Sequence, residues 1–212
     1  MRTVKFTLSD HDIAWGKWTK DNWDTARRKG VYGRGILDRR SDGLGAAPVG
    51  SWGEIGLCRW LRIEPMLDHC EGGNRHDTIW RGHTVEIKSR LTNGCGPWKN
   101  RRPIWYLTAT DHSGKILIPE KRIFRFDFVV CINITHGYDS EGYDVVEGEI
   151  MGYCPCALVP KGKENLKASP IEDCRHKNFH IYSHMLRDIW ELRRIARKKP
   201  QATLFPMEGE EW

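Results

Sequence analysis

Residues 126–134, FDFVVCINI, narrow the possible folds more than any other stretch. Val129, Val130, Cys131, Ile132 and Ile134 stand almost side by side, and side chains alternate between faces along a strand. An apolar run of this kind needs cover on both faces, which is the position of a central strand. IWYLTAT (104–110) reads the same way. With 212 residues, 39% hydrophobic and 29% charged, the chain has the composition of a globular protein and enough length for one real core.

Other elements surround these strands. Residues 10–30 predict a helix that packs Trp15, Trp18 and Trp23 on the core and stops at Gly30. Residues 31–50, rich in Gly, Arg and Asp, predict a loop. GSWGEIGLCRWL (50–61) predicts a second helix with Ser51 as N-cap, Glu54 at capping-box spacing, and a buried face of Ile55, Leu57, Cys58 and Leu61. Segments 76–81 and 83–90 predict a hairpin turning at Arg81-Gly82. DVVEGEIMGYC (144–154) predicts a further strand. FHIYSHMLRDIWELRRIARKK begins extended. It then reads as an amphipathic helix from about 184 to 199, with Leu186, Ile189, Trp190 and Ile195 inward and Pro200 as its stop. The order predicts an α/β (α+β) fold: a central mixed sheet flanked by helices. The expected organisation is a helical and basic segment (1–49) on the core, the core itself (50–200), and a mobile tail (201–212).

The segment HTVEIKSR carries the chemistry. Val85 and Ile87 alternate with Thr84, Glu86, Lys88 and Arg90, so one face is apolar and the other charged. The plain reading is a half-exposed strand with a weak surface ion pair. Asp77 adds something, because a hairpin turning at Arg81-Gly82 sets it beside Glu86. Two adjacent carboxylates repel unless a cation neutralises them. Mg²⁺ commonly binds one or two carboxylates together with waters and substrate phosphates. A lysine beside such an ion suits attack on a phosphodiester.

Asp77 followed by Glu86-Ile87-Lys88 resembles the PD-(D/E)XK nuclease superfamily. His76 stands where that pattern often has proline. The resemblance covers roughly residues 50–160, and more loosely the whole chain looks like small phage-encoded members. It implies a restriction-endonuclease-like core and Mg²⁺, with Mn²⁺ as substitute. Asp77 and Glu86 become metal ligands, helped by the Ile87 carbonyl. Glu54 acts through a water, or serves only as a cap. Lys88 orients or helps deprotonate the attacking water. The implied reaction is hydrolysis that leaves a 5′-phosphate.

Lys+Arg 34 against Asp+Glu 28 gives net +6, which favours an anionic partner. Candidate DNA contacts are Arg27, Arg28, Lys29, Arg34, Arg39 and Arg40, then Arg90, Lys99, Arg101 and Arg102, with Trp98 stacking on a base or folding onto the core. Arg193, Arg194, Arg197, Lys198 and Lys199 are expected to complement the end of the last helix. QATLF (201–205) resembles the Gln-x-x-Leu-Phe peptides that bind bacterial sliding clamps. Gln201 would hydrogen-bond, and Leu204 and Phe205 would fill an apolar pocket.

The seven cysteines form no regular framework, which fits a reducing cytoplasm. Cys154, Cys156, Cys174 and His176 are a candidate Zn²⁺ set of non-standard spacing, with buried thiols as the alternative. The N-terminus lacks a signal-peptide core, and no apolar run is long enough to span a bilayer, so no membrane role is expected. The expected activity is that of a metal-dependent DNA nuclease, an endonuclease of a phage or mobile element. The alternatives are a non-catalytic DNA-binding protein on the same fold, or a Holliday-junction-resolvase-type enzyme, which would work as a homodimer.

Overall fold

A computed structural model describes residues 1–18, 46–65, 77–92, 104–108, 126–159, 167–168 and 177–197. In chain order these form β1 (Val4–Thr7), α1 (residues 10–18), α2 (Ala46–Leu61), β2 (Thr78–Trp80), β3 (His83–Leu91), β4 (Ile104–Thr108), β5 (Phe128–Tyr138), β6 (Asp144–Pro155), β7 (Lys167–Ala168), β8 (Lys177–Tyr182) and α3 (Ile189–Leu192).

Among the described residues the main sheet has five strands, ordered β1-β6-β5-β3-β2. β3 and β5 run parallel and the other neighbours antiparallel, so the sheet is mixed, as expected for this α/β chain. Parallel neighbours cannot be joined by a tight turn. The chain therefore leaves the main sheet after β3. It supplies β4 to a second sheet, ordered β4-β8-β7, before β5 returns. Residues 104–108 are thus a strand, but not a central strand of the main sheet.

β5 is the wall between two cores. Val130, Ile132 and Ile134 pack with Trp52 and Ile55 of α2 and with Ile189 and Leu192. Val129 and Cys131 point the other way, toward Trp105, Phe179, Ile181 and Leu186. This is the double cover that the unbroken apolar run demands.

α2 begins at Ala46, earlier than the sequence suggests, because proline is tolerated in a first helical turn and Pro48 sits there. Ser51 and Glu54 consequently lie inside the helix, and the predicted cap at Ser51 does not form. Glycines let α2 approach the sheet. A β-carbon on Gly53 would lie 1.8 Å from Ser89 Oγ, and one on Gly56 would lie 2.2 Å from the Phe6 ring. A β-carbon on Gly148 of β6 would lie 1.9 Å from the same ring. The helix closes with Ile63 N–H donating to the Cys58 carbonyl and Arg62 N–H to that of Arg59. Arg62 takes a left-handed φ of 61°, where glycine is usual.

Three further expectations are corrected. The helix predicted at 184–199 shrinks to Ile189–Leu192, started by Asp188, whose side chain accepts the Trp190 N–H at 2.9 Å. Beyond it the chain straps across the β2–β3 turn: Trp80 Nε1 donates to the Leu192 carbonyl and Arg81 Nη1 to that of Ile195. Trp18 is 56% exposed rather than packed on the core, whereas Trp15 does pack there. The first residues are part of the sheet itself, since β1 pairs with β6. Trp23 lies outside the described residues, and among those described no helix is long and apolar enough to cross a membrane.

Candidate functional site

The β2–β3 hairpin forms as its sequence predicts. Arg81 and Gly82 both take positive φ, 52° and 79°, the two-residue turn that matches strand twist. Thr78 then pairs with Val85, and Asp77, one step before the strand, donates its own N–H to the Val85 carbonyl. The Asp77 carboxylate crosses the hairpin: Ile87 N–H donates to Oδ2 at 2.6 Å. Asp77 is therefore anchored at the peptide between Glu86 and Lys88.

Val85 and Ile87 are buried against α2, and the intervening residues face the second sheet. On that face the Lys88 ammonium donates to Glu86 Oε1 at 2.5 Å. The pair is recessed, with the Lys88 side chain 30% and the Glu86 side chain 17% exposed. Burial alone would lower the Lys88 pKa. The carboxylates of Glu86 and Asp77 and the hydrogen bond to Glu86 outweigh it, and the net result lies above the ordinary lysine value. Asp77, Glu86 and Lys88 thus form one electrostatic cluster.

Glu54 is placed differently. It is buried in α2, one helical turn before Cys58, whose thiol donates weakly to Thr78 Oγ1 at 3.9 Å. Burial, with the Glu54 and Asp77 carboxylates adding to it, pushes the Cys58 thiol up to about 12. Glu54 therefore belongs to the layer between α2 and the hairpin.

Asp127 is a positioning residue that the sequence reading passed over. Its carboxylate accepts from Thr84 N at 3.0 Å and from Thr84 Oγ1, while its own N–H donates to Thr84 Oγ1 and to the Thr84 carbonyl. This clamp sets the register of β3 on β5 two residues before Glu86. A lone acid just ahead of an apolar strand was its only signal.

Arg90 packs inward, its Nε donating to Asn133 Oδ1 at 2.9 Å and its guanidinium 5.7 Å from the Trp105 ring centre. Arg27, Arg28, Lys29, Arg34, Arg39, Arg40, Trp98, Lys99, Arg101, Arg102, Gln201, Leu204 and Phe205 lie outside the described residues. So do Cys174 and His176 of the candidate zinc set. Cys154 sits in the apolar layer beside Val129 and Cys131, and burial, with Cys156 nearby, pushes its thiol up to about 11.

Among the described residues no three His, Cys, Asp or Glu side chains gather closely enough to enclose an ion. Asp77 and Glu86 are two hard oxygen donors side by side, which fits Mg²⁺, an ion that keeps most of its waters. Comparison with protein-family models, curated proteins and solved structures finds no match.

Proposed function

We propose that this protein is a metal-dependent DNA nuclease with a PD-(D/E)XK-type site on a restriction-endonuclease-like core. One observation carries the reading. Asp77 is bonded to the Ile87 N–H opposite Glu86, and Glu86 is bonded in turn to Lys88. The mixed sheet and the helix backing it agree with that architecture.

Asp77 and Glu86, with the Ile87 carbonyl, would hold Mg²⁺ or Mn²⁺. When bound, such an ion lowers the pKa of a coordinated water and polarises a phosphoryl oxygen. The protein's own part is positional and electrostatic. The Ile87 N–H fixes the Asp77 carboxylate. Lys88, held beside these carboxylates, would orient or help deprotonate the attacking water and steady negative charge developing on the phosphate. Glu86 keeps Lys88 in place. DNA as substrate follows from the net charge of +6 and from the family resemblance.

The competing reading is a DNA-binding protein in which Glu86 and Lys88 only neutralise each other. The closeness of that ion pair favours it. Linear duplex, supercoiled circle, single strand and four-way junction, each incubated with Mg²⁺ or Mn²⁺, separate the two. Metal-dependent cutting by wild type, abolished in Glu86→Ala and Lys88→Ala, is expected. Binding without cutting on every substrate would establish the competitor.

A further inference from the structure

The strap of residues 187–197 does more than tie the hairpin turn. The Arg193 guanidinium lies 4.5 Å from the Trp60 ring centre and 5.6 Å from that of Trp190, and it donates to the Trp60 carbonyl. The two rings meet edge to face at 5.7 Å. Arg62, Arg81, Arg194 and Arg197 are exposed around this stack. Among the described residues no ion pair joins Arg62, Arg194 or Arg197 to a carboxylate. Of the acids here, Asp188 pairs with Arg2, while the Glu191 and Glu64 carboxylates stand against five arginines, Arg62, Arg81, Arg193, Arg194 and Arg197. The last helix stops at Leu192 with Arg193 as its C-cap residue, and Arg194 and Arg197 follow beyond it.

Backbone strain adds an independent observation. Among the described residues the positive-φ positions outside glycine are Arg62 and Arg81, both on this surface. Each stands in the closure of α2 or the hairpin turn and forgoes the glycine or asparagine that the conformation favours.

The geometry points to the strap, the α2 terminus and the hairpin turn as a docking surface for the phosphate backbone of nucleic acid. Guanidiniums set on indole faces are held in place before binding, and unneutralised neighbours supply the field. The choice of DNA rests on the nuclease reading; the hairpin that carries Asp77 and Glu86 also carries Arg81 at its turn.

Fluorescence anisotropy of a labelled duplex, titrated across salt concentrations, tests it in full-length protein. Arg194→Gln/Arg197→Gln is expected to weaken binding about tenfold near physiological salt and to reduce the log–log salt slope by about two. Tyr138→Glu/Tyr143→Glu changes net charge equally but lies at the exposed β5–β6 turn, at the opposite end of the parallel β3–β5 pair from Arg81-Gly82, and it is expected to leave the slope unchanged. Equal slopes for the double variant and wild type would overturn the surface and leave the nuclease reading standing. Equal loss with Tyr138→Glu/Tyr143→Glu would reduce the effect to overall charge and overturn it too. Competition by polyglutamate as strong as by unlabelled duplex would reassign the surface to acidic protein. Normal binding by wild type with no cutting would keep the surface and remove the nuclease.

Discussion

The Asp77 carboxylate accepts the backbone N–H of Ile87 across the hairpin, at 2.6 Å. This bond makes Asp77 both a structural staple and a charged group at the site, and substitutions separate the two roles. Asp77→Ala leaves the Ile87 N–H without its acceptor and should cost about 1–3 kcal/mol in urea denaturation. Asp77→Asn keeps an acceptor oxygen and most of the stability but removes the charge. Cleavage should fail in both. Full cleavage by Asp77→Asn would take Asp77 out of the site.

Lys88 should give the protein an alkaline limit. Its folded pKa is raised, so its contribution is complete below the unfolded lysine value of about 10.4 and is lost as pH rises through the folded value. The stability gap between wild type and Lys88→Met should therefore narrow as pH rises above about 10.4. A constant gap would mean that the lysine contributes through packing alone.

Asp12 sets an acid limit. Its burial would raise its pKa, but hydrogen bonds from Arg59 and Ser9 and the Arg59 charge bring it below the usual carboxylate value. Its contribution is full above about pH 3.9 and disappears as pH falls through the folded value. Asp12→Asn should be less stable by about 1 kcal/mol at neutral pH and equal to wild type in strong acid. Denaturation at both pH values checks this.

Phe6 lies between Gly56 and Gly148. Gly56→Ala should cost about 1–3 kcal/mol by overpacking. In a Phe6→Ala background the same substitution should cost far less, a coupling that a double-mutant cycle reads directly. Additive costs would mean that the ring is not what α2 rests on.

Arg62→Gly should raise stability by about 1 kcal/mol, since glycine suits the left-handed closing position of α2. The same variant should bind duplex DNA less tightly. A thermal melt and an anisotropy titration on one preparation would show the two effects moving in opposite directions.

Much of the site was legible because it is local. Alternation along HTVEIKSR and the Arg81-Gly82 turn fix which residues share a face, and they bring Asp77 to Glu86 without help from the rest of the chain. The elements missed depend on distant partners. VKFT is too short to declare itself and becomes a strand only against β6. IWYLT is as apolar as a central strand, yet β8 decides which sheet it joins. The helical periodicity of residues 184–199 is real, since Leu186, Ile189 and Leu192 are all buried. Hydrogen bonds from Trp80 and Arg81 to the carbonyls of Leu192 and Ile195 nonetheless hold that segment as a strap.

The pairing of β1 with β6 also sets a schedule. Val4 lies opposite Ile150, so the first strand leaves the ribosome long before its partner exists. At a synthesis rate of about 5–20 residues per second, that interval is roughly 7–30 seconds. Throughout it Phe6 has neither Gly148 nor its place in the sheet. Completion of the main sheet is therefore a late event in the birth of the chain.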